Sequence, residues 1–258
     1  MMRSGFQAAL LERFGATECV DTHCHILPGV DDGPATLNDT LALCRVLVRD
    51  GITTVIATPH QLGRFEGVTG AAAMRDAVTQ LQATLDGRGM PLRVVPGAEV
   101  RVDPRIPQLL AEDKILTLAD GHKYLLLELP TAVRLAPDAV LPHLASAGVT
   151  VVLAHSERYG ALVSDPDSAE AWVAGGAALQ VNAGGLVGAF GAESQAAAVH
   201  WIERGWVSLI GTDAHSVGTR RPRMTEAADF LTQRFGQAVA KRLCFENPAC
   251  VLQGAPFV

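Results

Sequence analysis

Short runs of β-branched residues and leucine recur along this chain, each followed by a longer stretch with helical periodicity. This alternation constrains the fold more than any other feature. The runs cover residues 18–21, 53–58, 93–98, 124–128, 150–154, 178–182 and 207–211. Apolar runs without polar alternation fit strands covered on both faces, as in parallel sheets. Between the first two runs, Leu37, Leu41, Cys44 and Val48 share one helical face, and Gly51 closes the helix. Similar stretches follow at 71–85, 138–147, 168–173, 193–203 and 225–234; Pro142 is expected to kink its helix or delay its start. About seven strand–helix units predict an α/β barrel in a single domain over residues 18–258. Residues 1–17 carry Phe6, Leu10, Leu11 and Phe14 broken up by Arg3, Glu12 and Arg13, which predicts a short amphipathic helical extension rather than a signal peptide.

With 258 residues, 48% of them hydrophobic and only 19% charged, the chain can fill one large core. No apolar run approaches the roughly 18–20 residues of a membrane span, so a cytoplasmic protein with no membrane span is expected. A net charge of −6 argues against a broad nucleic-acid-binding face. The five cysteines (Cys19, Cys24, Cys44, Cys244, Cys250) show no paired metal spacing and read as reduced, mostly buried thiols.

In an α/β barrel the active site forms at the C-terminal ends of the strands. Those ends carry His23 and His25, then His60, Glu99, Glu128, His155, Asn182, and finally Asp213 and His215. His23 and His25 are two apart, so both face one side of a strand, and Asp213 and His215 repeat the arrangement. One such histidine alone is more often a hydrogen-bonded core residue, but buried carboxylates are costly unless paired or metal-bound, and here they come with imidazoles. His122, His143 and His200 fall in a turn or in helical stretches, away from this set. Five imidazoles with up to four carboxylates, counting Asp31 or Asp32, exceed the four ligands of one zinc ion and predict two or three ions sharing a carboxylate. The mixture suits manganese, iron or zinc better than calcium. Clustered ions of this kind serve phosphate-ester hydrolysis.

The motif Asp21-Thr-His-Cys-His-Ile-Leu-Pro-Gly-Val-Asp-Asp-Gly-Pro34 resembles the opening motif of the bacterial tyrosine phosphatases of the polymerase-and-histidinol-phosphatase superfamily, enzymes associated with capsular and exopolysaccharide export. Further similar segments follow in order: Ala57-Thr-Pro-His60, Gly97-Ala-Glu99, Leu127-Glu128, Ala154-His-Ser-Glu-Arg-Tyr159, Gln180-Val-Asn-Ala-Gly184, Gly211-Thr-Asp-Ala-His215 and Glu246-Asn-Pro248. The resemblance implies a distorted (β/α)7 barrel with three metal ions, usually manganese. One ion would take His23, His25, Glu99 and Asp213. A second would take Glu99, Glu128 and His155. The third would take Asp32, His60 and His215, with Asp31 left to turn or capping chemistry. Arg158 would face the phosphate, together with Arg220 or its neighbour Arg221. Ser156 departs from the proline usual in the family at that position. Gly184, Gly185 and Gly188 could cradle phosphate, but a tight turn is the expected role.

The reaction implied is hydrolysis of phosphotyrosine on a protein, a bacterial tyrosine kinase being the expected partner. Metal-activated hydroxide would attack phosphorus in line while the ions and Arg158 hold the non-bridging oxygens. Covalent cysteine catalysis is excluded by sequence, because no cysteine is followed by arginine in a Cys-x5-Arg loop; Cys24 is expected to pack facing away from the metals. Two alternatives remain: histidinol-phosphate hydrolysis within the same superfamily, or a non-catalytic metal-containing module of polysaccharide assembly.

Overall fold

A computed structural model describes residues 3–130 and 135–258. Among the described residues the seven sequence runs become nine strands: β1 (Val20–Cys24), β2 (Thr54–Ala57), β3 (His60–Gln61), β4 (Arg93–Pro96), β5 (Glu99–Arg101), β6 (Tyr124–Glu128), β7 (Thr150–Leu153), β8 (Ala178–Asn182) and β9 (Val207–Gly211). All pairings are parallel, in the orders β1-β2-β4 and β3-β5-β6-β7-β8-β9. Beyond the second and third runs pairing resumes in a short additional strand. Thr58-Pro59 separates β2 from β3, and Gly97-Ala98 separates β4 from β5. His60 and Glu99 therefore open a resumed strand instead of ending one, and they stand opposite each other in register. The ring closes between the two outermost runs through a bridge from Cys24 to Ala214. His25 N–H donates to Ala214 O (2.9 Å) and Asp213 N–H to His23 O (2.7 Å). The result is a distorted seven-run barrel.

Side chains alternate between the barrel interior and the helical layer. Val20, Ile56, Val95, Leu126, Val152, Ala178 and Leu209 form one buried cluster inside the ring. Their strand neighbours Val55, Val94, Leu125, Leu127, Val151, Leu153, Leu179 and Ile210 join the larger cluster under the helices. Continuing the interior positions toward the strand ends replaces apolar residues by polar ones. Ile56 is followed by Thr58 and His60, Leu126 by Glu128, Ala178 by Gln180 and Asn182, and Leu209 by Gly211 and Asp213. The interior is tight at this transition: a Cβ on Gly97 would lie 2.6 Å from Ile56 Cγ2, and one on Gly211 would lie 2.9 Å from both His23 Cβ and Gln180 Nε2. A register shift between Asp21 and Cys24 changes the alternation in β1, so His23 turns inward while Cys24 joins the helix-side core.

The helices follow from their sequence signals. Thr36 caps Leu37–Arg49 through a reciprocal pair with Asp39, as the capping box requires. Ser4 does the same with Gln7 for Gly5–Phe14, whose Leu10, Leu11 and Phe14 are buried. Met1 and Met2 of the expected extension lie outside the described residues. Pro142 falls in the first turn of Leu141–Ala145, after a 3-10 turn at Pro137–Ala139, so the expected helix starts late. Among the described residues no helix is long and apolar enough to cross a membrane.

Candidate metal centre

The strand ends bring His23, His25, His60, His155 and His215 together with Asp32, Glu99, Glu128 and Asp213. Glu99 stands at the middle. Its Oε2 is 3.3 Å from His23 Nε2, 3.3 Å from His25 Nε2 and 3.2 Å from His60 Nδ1, and its Oε1 is 2.6 Å from His155 Nε2. Asp213 Oδ1 lies 3.5 Å from His23 Nε2 and 3.6 Å from His25 Nε2. Asp32 Oδ1 lies 3.4 Å from His60 Nε2 and 3.3 Å from His215 Nε2, while Glu128 Oε2 is 3.8 Å from His60 Nδ1. Donor atoms lying within 4.8 Å of one another fall into three groups: His25, Asp32, His60 and His215; His23, His25 and Asp213; and His60, Glu99 and Glu128.

The tautomers of three rings are set by acceptors at Nδ1. His23 Nδ1 meets Gln180 Oε1 at 2.9 Å, and that oxygen is identified as the acceptor because the His155 backbone N–H also donates to it. His25 Nδ1 meets Asp31 Oδ2 at 2.7 Å, and His215 Nδ1 meets the Asp213 carbonyl at 3.0 Å. In the neutral rings each Nε2 is thereby left with a lone pair, and His23 Nε2 and His25 Nε2 converge to 3.3 Å. Two lone pairs and several carboxylate oxygens facing each other in a buried space repel unless a positive charge lies between them. His215 Nε2 is buried, and with the proton on Nδ1 it has none to give to Asp32 Oδ1 at 3.3 Å. The donor set therefore fits metal ions of the imidazole–carboxylate class.

The electrostatics agree. Burial acts to raise Asp213, but His23, Arg220, His155 and His215 hold it far below the usual carboxylate range. Burial acts likewise on Glu99, and His23 and His155 hold it well down. Asp32 is depressed by its contacts with His215 and His60. Against burial, Asp31 and Glu99 raise His25 to about 10, whereas burial and the neighbouring His25 depress His215 to about 4.

Two of the clustered residues have left-handed backbones that β-carbons disfavour, His155 (φ 30) and Asp213 (φ 50). Such outliers concentrate at functional sites, where the surrounding structure enforces them. Above the cluster a cavity of about 460 Å³ opens to solvent, its wall including Asp32, His60, Glu99, Glu128, His155, Arg158 and Arg220. Arg158 Nη1 is 2.9 Å from Asp213 Oδ2 and Arg220 Nη2 is 2.6 Å from Asp213 Oδ1. Arg221 does not join them. It pairs with Glu226 at 2.6 Å and donates to Pro222 O, so the adjacent pair divides and only Arg220 reaches the cluster.

The supporting contacts of several residues are not legible in the sequence, although Asn182 is placed there at a strand end and Asp31 in a turn. Asp31 does more than shape a turn: its Oδ1 accepts the Gly33 N–H, while its Oδ2 holds His25 and accepts the His60 N–H. Gln180 orients His23, and Asn182 donates to Asp213 Oδ2 at 2.8 Å. Both are polar residues at interior positions of an apolar run, which was the available signal. Phe65 stacks on His60 with ring centroids 5.2 Å apart. The glycines at 184 and 185 do not line the cavity; a Cβ on Gly185 would meet Glu157 Oε1 at 2.5 Å, so they serve close packing. Cys24 is fully buried, its thiol pushed well up by burial and its Sγ 3.6 Å from Ala214 O.

A family model for capsular polysaccharide synthesis, CpsB/CapC, matches residues 19–253. The tyrosine-protein phosphatase YwqE of Bacillus subtilis is 36% identical over 236 residues, covering 91% of each chain. The tyrosine-protein phosphatase CpsB of Streptococcus pneumoniae is 28% identical over 241 residues, 90% of this chain and 98% of its own. A crystal structure from work on YwqE and CpsB, described there as unique metal-dependent tyrosine phosphatases, superposes with a TM-score of 0.87 at 34% identity, covering 93% of this chain and 96% of that one. A match of this extent to the family model, with relatives spanning nearly the whole barrel, makes the chain a member of the CpsB/CapC capsular polysaccharide synthesis family.

Proposed function

We propose that this chain hydrolyses phosphotyrosine on proteins as a metal-dependent phosphomonoesterase. The observation that carries the proposal is the convergence of imidazole lone pairs and carboxylates beneath a solvent-open cavity walled by Arg158 and Arg220. The naming of YwqE and CpsB as tyrosine-protein phosphatases supports it. The ligands are His23, His25, Asp32, His60, Glu99, Glu128, His155, Asp213 and His215, with room for up to three ions, manganese in the first instance. Bound ions supply Lewis acidity to the phosphoryl oxygens and lower the pKa of water.

The chain's own residues do the rest. Arg158 and Arg220 approach from the cavity wall and donate to the non-bridging oxygens of the phosphate, a charge-assisted role suited to guanidinium groups. Asp31 holds His25, Gln180 holds His23 and Asn182 holds Asp213, so that little reorganisation is needed as charge develops. Cys24 takes no part, being buried, protonated and turned toward the helices. The open mouth suits a phosphotyrosine carried on a protein. The substrate in the cell is a bacterial tyrosine kinase of polysaccharide export, and the site of action is the cytoplasm.

The test is a side-by-side assay with manganese on phosphotyrosyl peptides and histidinol phosphate. Higher kcat/KM on the peptides is expected. A preference for histidinol phosphate overturns the assignment, and no turnover of either by metal-loaded protein overturns the enzyme reading.

A further inference from the structure

Glu99 and Arg101 lie two residues apart on β5 and so project to the same interior face. Arg101 stands opposite Glu128 in the β5–β6 register. Its Nη1 is 2.9 Å from Glu128 Oε1 and donates to Leu129 O at 3.1 Å. The aliphatic stem is confined as well. A Cβ on Gly63 would lie 3.3 Å from Arg101 Cγ, and the preceding Leu62 is held at φ 67, ψ −173, a region a β-carbon resists. Arg101 is thus clamped by a carboxylate, a carbonyl and a strained backbone corner, although it lines the cavity and has no contact with Asp213 like those of Arg158 and Arg220.

The consequence falls on Glu128. This carboxylate is the most loosely surrounded of the cluster apart from Asp32, and its side chain could turn either oxygen inward. With Oε1 held by Arg101, Oε2 is the atom turned toward His60 Nδ1 and the group formed with Glu99. We propose that Arg101 is a positioning residue that fixes Glu128 so that one oxygen is presented to the ion site shared with His60 and Glu99. The inference rests on the metal-dependent reading above. The competing view is a partly exposed ion pair with no effect beyond the small stabilisation such pairs give.

Metal binding separates the two. Stripped wild type, Arg101→Ala and Arg101→Lys are titrated with manganese by calorimetry, and retained metal is counted by elemental analysis after gel filtration. Arg101→Ala is expected to bind one equivalent about 10–100-fold more weakly, the cost typical of removing a partner that orients a ligand, with the other equivalents unchanged. Arg101→Lys, which keeps one donor, recovers part of the loss. Adding Arg101→Ala to Glu128→Gln should cost nothing further. Isotherms identical to wild type, or a uniform weakening of every equivalent, overturn the inference; if Arg101→Ala does not fold, Arg101→Lys and Arg101→Gln carry the same comparison. Wild type that binds no manganese removes the metal-dependent reading itself, an outcome distinct from an Arg101 effect that fails to appear.

Discussion

The barrel interior has two halves that obey opposite rules. Toward the strand starts, Val20, Ile56, Val95, Leu126, Val152 and Leu209 fill the ring with apolar volume. Toward the strand ends the same faces carry His60, Glu99, Glu128, Asn182 and Asp213. The lower half gains from burial at roughly 25 cal/mol per Å² of apolar surface. The upper half incurs desolvation that only mutual pairing, hydrogen bonds and cations offset. One barrel therefore separates stability from chemistry by height along its strands, with Gly97 and Gly211 allowing close approach where the two meet.

The comparison breaks most sharply at Glu99, which contacts four imidazoles. Glu99→Gln should lower activity by at least about 100-fold, more than an orienting partner would cost, while circular dichroism shows the fold retained. Chelation should abolish activity and manganese restore it, raising Tm because only the native state binds. Full activity in demonstrably metal-free protein would refute the division. Substitution in the lower half should show the converse. Ile56→Ala is expected to cost about 2–5 kcal/mol by chemical denaturation, with kcat per folded molecule near wild type.

Effects then become smaller toward the rim. Arg158→Ala should lower kcat/KM by about one to two orders of magnitude, from about 1.5–3 kcal/mol of charge-assisted bonding, with metal content unchanged; loss of metal instead would make Arg158 a support for Asp213. Cys24→Ser should change activity least, by well under about 10-fold, since the thiol faces the helical layer. A trapped phosphocysteine at any of the five cysteines would overturn that placement.

Much of this division was legible in the sequence because strands alternate faces and parallel strands carry chemistry at one end. The runs at 124–128, 178–182 and 207–211 coincide with β6, β8 and β9. His23, His25, Asp213 and His215 could be placed by their two-residue spacing. What the sequence concealed depends on long-range register. Gln180 reaches His23 across 157 residues, and no local pattern announces that β8 and β1 bring them together. Pro59 and Gly97 signal a break, but nothing in the sequence shows that pairing resumes directly after them at His60 and Glu99. Arg101 was within reach: it shares a face with Glu99 by the same two-residue rule that identified the histidines.

The seam that closes the ring lies between His23–His25 and Asp213–Ala214, joined by two backbone hydrogen bonds. The candidate ligands thus flank the place where first and last strands meet, and an ion held across them acts as a clasp on chain ends far apart in sequence. Slow local unzipping of the barrel, in addition to global melting, is then what metal occupancy would govern. The amide protons of His25 and Asp213 should exchange with deuterium faster in stripped protein than in loaded protein, while those of β6 and β7 on the far side keep their protection.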